Sequence, residues 1–285
     1  MLFDLRSPGR RNVIRVVYGF LAILMGGGLI FFGIGGSGGG LFSDIGGGRG
    51  GGDGGNPFED QISDAEAKVQ QNPQDTAALA ELVALHFQAG SNQIEVDQDS
   101  GTQSLTEEGE QQLEESADAW DRYLKQTQKS GGEADTSTAS VAFQLFSLLA
   151  NVSFSKAQGA SSGTEALADA NDAVTSWSDA AEAQRILVDA QPGTPAYVRL
   201  AQFLYLAGDI EGGDQAAAQA TQAARGNERA AIEQQLKQAK TQGEQLTQAI
   251  AQVQKQQQQT QQATGGAATG ANPLEGLGGG GLSGQ

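Results

Sequence analysis

The chain has 285 residues and a formal net charge of −17, because 34 acidic residues outnumber 17 basic ones. It contains no cysteine, which excludes disulfides, thiolate nucleophiles and cysteine–zinc sites. An acidic chain is repelled by phosphate backbones, so we expect no binding to nucleic acid.

An apolar segment near the N-terminus predicts a single transmembrane helix. Residues 16–34, VVYGFLAILMGGGLIFFGI, are 19 residues without a charge. As a helix they would span about 28 Å, close to the ~30 Å hydrocarbon core of a bilayer. Residues 1–15 contain four arginines and one acid, so this end is predicted to be cytoplasmic and the rest extracytoplasmic. The alternative is a cleaved export signal, but the apolar stretch is longer than a signal-peptide core.

The glycine-rich stretch that follows predicts a flexible linker over residues 35–57. Gly33, Gly35 and Gly38 match the pattern G-x-G-x-x-G. A nucleotide site of that kind needs a strand before it and a helix after it, whereas each glycine costs a helix about 1 kcal/mol. We therefore predict a tether with a reach of roughly 25–30 Å, and we expect no cofactor.

Residues 58–225 predict an all-α domain. They are rich in alanine, glutamine and leucine and show the helical period rather than strand alternation. The predicted helices cover 60–71, 76–89, 106–129, 138–157, 164–190, 195–207 and 210–225.

A long last helix is predicted within residues 226–262, from 227 to about 260. Its apolar and small residues form a heptad seam: Ile232, Leu236, Ala239, Gly243, Leu246, Ile250 and Val253. Such a helix either caps the domain or pairs with a second copy as a coiled coil in a homodimer. Gly243 weakens a free-standing pair, so we favour the cap. Residues 263–285 predict a disordered Gly/Ala-rich tail.

The region from residue 94 to 121 holds ten acids and no base. Glu95, Asp97 and Asp99 are spaced like the first ligands of a calcium loop. Gly101, however, lies one position beyond that of the turn glycine in such a loop, and Thr106 occupies the position where a bidentate glutamate belongs. We predict an exposed acidic loop and no metal site, and leave weak calcium binding open as an alternative.

Residues that carry catalysis are hard to find in this sequence. The one histidine, His86, lies in an apolar helical segment without a partner nucleophile or an H-E-x-x-H zinc pattern. We interpret it as a packing residue and expect no enzyme.

Two segments repeat one another, residues 72–90 and residues 191–209. Aligned on Gly90 and Gly208, they superpose the pairs Leu79 and Tyr197, Leu82 and Leu200, Val83 and Ala201, and Phe87 and Tyr205. This spacing resembles the tetratricopeptide repeat (TPR), a helix–turn–helix unit of 34 residues. The copy at 194–220 departs from the family at Gly213 and Ala217, where alanine and an aromatic are usual.

The TPR resemblance implies an α-solenoid of antiparallel helix pairs with a peptide-binding inner wall. The candidates for peptide binding are Phe87, Gln202 and Tyr205, and the wall would also include Ala80, Ala84 and Val198. The basic residues of the family's carboxylate clamp are missing there, so an apolar or extended peptide fits better. The alternative is that these side chains are buried inside the array.

Together these features predict a membrane-tethered scaffold for protein–protein interaction at the outer face of the plasma membrane. The anchor and the exported repeats resemble bacterial accessory proteins of the secretion translocon and membrane-bound periplasmic folding factors. The composition is similar in style to actinobacterial proteins. The alternatives are an oligomeric spacer of the cell envelope and a carboxylate-dependent envelope hydrolase.

Overall fold

The computed structural model describes residues 58–96 and 103–265, which fold into eight α-helices and one short β-hairpin. In chain order the elements are α1 (Glu59–Gln71), α2 (Thr76–Ser91), β1 (Ile94–Val96), β2 (Gln103–Leu105), α3 (Glu107–Lys129), α4 (Thr136–Gly159), α5 (Gly163–Ala190), α6 (Thr194–Leu206), α7 (Ile210–Ala223) and α8 (Glu228–Gly265). The all-α prediction is confirmed for these residues. The predicted anchor and linker lie outside them, as do residues 266–285 of the predicted tail.

The helices begin where side chains can satisfy free backbone N–H groups. Five helices, α2, α3, α4, α5 and α7, start at residues whose side chains accept such hydrogen bonds: Asp75, Thr106, Asp135, Ser162 and Asp209. Each cap of this kind stabilises a helix by about 1 kcal/mol. The first seven predicted helices agree with the structure within two residues at each end, including α1 and α6, whose first residues have no side-chain cap.

Successive helices pack side by side from α1 to α7, and α4 lies at the centre of the domain against α2, α3 and α5. The Phe143 ring on α4 also meets the Phe203 ring on α6, with 5.0 Å between centroids. Just before α4, the backbone N–H of Asp135 donates to the Tyr123 hydroxyl over 2.6 Å. This bond ties the end of α3 to the start of α4.

Within the described residues, α4 is long and apolar enough to cross a membrane by length and composition. Half of its most apolar 18-residue window is buried inside the domain, including Phe143, Leu145 and Phe146. A helix that is apolar all round suits either a lipid bilayer or a protein core, and the neighbours of α4 give it the second environment.

The two glycines aligned in the repeat act differently. Gly208 has φ +81° and ends α6, where the N–H of Asp209 donates to the Leu204 carbonyl over 2.9 Å; this is the glycine stop that the sequence predicts. Gly90 does not end its helix, because α2 continues to Ser91. A Cβ at Gly90 would lie 2.7 Å from the Gly109 carbonyl oxygen, so this glycine lets α2 and α3 approach closely.

The acidic insertion contains strands that the sequence analysis did not predict. β1 and β2 pair antiparallel, with Ile94 opposite Leu105, and three-residue strands are too short for alternation to reveal them. Thr106, at the last position of the suspected calcium loop, instead caps α3 by accepting from the Gly109 N–H over 3.0 Å. Asp97 and Asp99 lie outside the described residues. Within the described ranges no cluster of three potential metal ligands occurs.

The long helix α8 lies along the end of the domain, in contact with α5, α6 and α7. The middle of its heptad seam is buried there, at Leu236, Ala239, Gly243 and Leu246. This is the capping arrangement, in which the seam serves the chain's own core. A homodimer through this helix stays a prediction.

Candidate functional site

The predicted peptide-binding residues do not lie on one open surface. The Phe87 and Tyr205 side chains belong to the hydrophobic core, at 7% and 2% exposure, while Gln202 is half-buried. Buried rings can stabilise the domain but offer no face to a partner in this structure. For Phe87 and Tyr205, burial is the alternative that the sequence left open. A role of Phe87, Gln202 and Tyr205 in peptide binding stays a prediction.

Tyr205 is instead the point where α6, α7 and α8 meet. A Cβ at Gly213 of α7 would lie 2.4 Å from the Tyr205 ring, and a Cβ at Gly243 of α8 would lie 2.1 Å from the Tyr205 carbonyl oxygen. Only glycine allows both helices to come this close. The glycine that departs from the repeat pattern and the glycine that weakens the heptad seam therefore serve one packing arrangement.

The Tyr205 hydroxyl extends this junction into a polar link. It donates to Asp214 Oδ1 over 2.8 Å, and Lys240 Nζ approaches Asp214 Oδ2 to 2.6 Å. The ammonium group and then the hydroxyl lower the pKa of Asp214. Burial, followed by the neighbouring carboxylate, raises the pKa of Tyr205. The phenol therefore stays protonated and acts as a donor, and one carboxylate joins three helices.

Beside this link, α7 and α8 diverge into an open groove of about 710 Å³. The floor is apolar or small, with Ala217, Ala218 and Leu236. Because the sequence of α7 is rich in alanine, no large side chain of this helix fills the space below α8. A volume of this size is within the range of ligand-binding clefts.

The rim of the groove carries charge from one face of α8. Arg229, Glu233 and Lys237 follow one another at four-residue spacing and all line the groove. Arg229 and Lys237 are exposed, and among the described residues neither lies within ion-pair distance of a carboxylate. In a chain with twice as many acids as bases, this is a locally cationic rim over an apolar floor.

A second groove, of about 450 Å³, lies where α1, α2 and α3 meet. It contains His86, whose side chain is only 5% exposed. His86 Nδ1 lies 2.9 Å from Gln112 Oε1 and 3.2 Å from Glu115 Oε2. An amide and a carboxylate thus fix the imidazole against α3. This arrangement agrees with the interpretation of His86 as a packing residue.

The carboxylate of Asp179 lies in an environment that disfavours its charged form. Asp179 of α5 is half-buried, and burial, then the charges of Asp121 and Glu182, raises its pKa to about 6. Asp179 is not among the lining residues of either groove, so we assign it an effect on stability.

Comparisons with protein families, with curated proteins and with solved structures found no match. The candidate site is thus defined by its own geometry. Sequence reasoning missed the α7–α8 groove, although one signal for it was present. Gly213 and Ala217 showed that α7 offers little packing bulk, and missing bulk beneath a long neighbouring helix leaves open space.

Proposed function

We propose that this chain is a membrane-tethered, TPR-like scaffold that binds another protein at the outer face of the plasma membrane. The observation that carries the proposal is the α7–α8 groove, an apolar cleft that stays open beside the packed helical core. The Tyr205–Asp214–Lys240 link fixes one end of this groove. A cleft held by rigid helices is suited to binding because little ordering is needed when a partner arrives.

The succession of helix pairs supports the TPR-like part of the proposal. α2 with α3, α4 with α5, and α6 with α7 are each more extensively packed than α1 is on α2, and α8 covers the last pair. A repeat array needs such a terminal cap, because its last apolar face would otherwise meet water. The uncharged stretch at residues 16–34 and the arginines before it support the membrane tether and its orientation.

The packing of α8 weighs against an oligomeric spacer built on the heptad seam. A coiled coil needs its seam free to receive a second helix, whereas Leu236 and Leu246 are each 4% exposed on the chain's own core. We therefore favour a scaffold that recruits a different protein.

A membrane-impermeant, amine-reactive crosslinker added to intact cells that express the chain tests this function. Exposed lysines such as Lys125 and Lys129 should yield an adduct with a second protein before the cells are broken. Adducts that form only after lysis would place the domain in the cytoplasm and refute the proposed orientation. Adducts of the chain with itself alone would favour the spacer.

A further inference from the structure

The α7–α8 groove has dimensions that restrict what can occupy it. Arg229 and Lys240, at its two ends, are eleven residues apart on α8, which is about 16 Å along a helix. A volume of about 710 Å³ spread over that length leaves a cross-section of roughly 45 Å². An extended peptide of about five residues matches this length and cross-section, whereas a whole α-helix, about 10 Å wide, would contact the groove along one face only.

The floor and the rim of the groove favour different side chains in such a peptide. Ala217 and Leu236 present apolar surface, which favours apolar side chains because they leave water on binding. Arg229 and Lys237 present cations without a carboxylate partner in the described part of the chain. Lys240, by contrast, is already paired with Asp214, so the available positive charge is that of Arg229 and Lys237.

The distance between Arg229 and Lys237 sets the distance between the acidic side chains of a peptide that could pair with both. Arg229 and Lys237 are eight residues apart, which corresponds to about 12 Å along α8. Two side chains four residues apart in an extended chain are about 13 Å apart and point the same way. The first and third of the residues between them point to the opposite side, where the apolar floor lies, and the middle one faces Glu233.

We propose that the groove binds an extended acidic amphipathic segment of a partner protein, with carboxylates four residues apart against Arg229 and Lys237 and apolar side chains against the alanine floor. The inference rests on the proposed function, since it names the chemistry that the scaffold selects. Glu233, which lies between the two cations, disfavours a third carboxylate at the central position. It therefore restricts the acidic positions to the two outer ones.

Direct binding measurements on the purified full chain test this chemistry. The probes are three fluorescent seven-residue peptides with leucine at every odd position and glutamine at the central one. The two remaining positions, which are four residues apart, carry glutamate, glutamine or lysine. We expect the glutamate peptide to bind most tightly, and R229Q/K237Q to weaken it about tenfold, by close to 1.4 kcal/mol. Raising the salt from about 50 to 500 mM should remove most of its advantage. K255Q, which removes an exposed lysine of α8 outside the groove lining, should leave binding unchanged.

Three results would overturn the inference. The first is equal binding of the glutamine or lysine peptide. The second is glutamate-peptide binding that R229Q/K237Q does not weaken. The third is binding to vesicles rich in anionic phospholipid that requires Arg229 and Lys237, without binding to the peptide. That result would make the occupant a lipid surface. If wild type and R229Q/K237Q captured a partner equally in intact cells, the proposed scaffold function would be retained. The inference that the partner presents an acidic segment would be rejected.

Discussion

Replacing Gly243 with alanine should destabilise the domain, although alanine is the better helix former. In an open helix the change would stabilise by about 1 kcal/mol. Here the new Cβ would lie 2.1 Å from the Tyr205 carbonyl oxygen and 2.6 Å from its carbonyl carbon. Backbone atoms cannot rotate away, so α8 must move outward by more than about 1 Å, and overpacking of this kind costs about 1–3 kcal/mol. The upper part of that range applies, which leaves a net loss of about 1–2 kcal/mol.

Thermal melting of the purified full chain, followed by circular dichroism, measures this loss. For a domain of this size we expect the melting temperature to fall by about 2–8 °C. The matched control is Gly159→Ala, at the end of α4, where an added Cβ meets nothing within 4 Å and should leave stability equal or higher. If Gly243→Ala raised the melting temperature as the control does, α8 would not pack on α6 in this way.

Three further substitutions test other contacts by the same melting assay. Tyr205→Phe removes the hydroxyl that donates to Asp214 and should cost about 1 kcal/mol, and a loss of several kcal/mol would mean that the hydroxyl does more than this bond. Phe87→Ala empties a core position and should cost about 3–5 kcal/mol, whereas an unchanged melting temperature with lost partner crosslinks would restore its predicted binding role. Asp179 has a folded-state pKa of about 6, above the ordinary aspartate value of 3.8, so the folded state holds its proton more tightly and the resulting stability is lost as the pH rises through 6. Asp179→Asn should therefore stabilise by about 1 kcal/mol near pH 7.5, after allowance for solvent screening, and change little near pH 4; equal effects at both pH values would contradict this cause.

Helix positions in this chain could be predicted because their signals are local. Capping residues such as Asp75 and Ser162 and the spacing of apolar residues act within a few positions of the chain. Gly90 shows the limit of such signals. It occupies the same repeat position as Gly208, yet its role is decided by the carbonyl of Gly109, nineteen positions further along the chain.

The candidate site was less predictable, because it depends on how three helices meet. The repeat pattern placed the Tyr205 ring on an open inner wall, with burial as the alternative, and the structure buries it at 2% exposure. Whether the ring points outward or inward depends on Gly213 and Gly243, which let α7 and α8 close over it. The free space then appears one helix further on, above Ala217, where the sequence pattern shows only a missing aromatic.

Site-specific photocrosslinking from inside the α7–α8 groove tests most directly whether this groove binds a partner. A photoreactive amino acid at the position of Ala218, which is exposed and lines the groove, should capture a second protein in native membranes. The same group at the position of Gln245, an exposed residue of α8 outside the groove lining, should not. An excess of the glutamate–leucine peptide should remove the adduct from position 218. Equal capture at both positions, or none at 218 while the membrane-impermeant crosslinker still yields an adduct, would contradict the groove as the binding site.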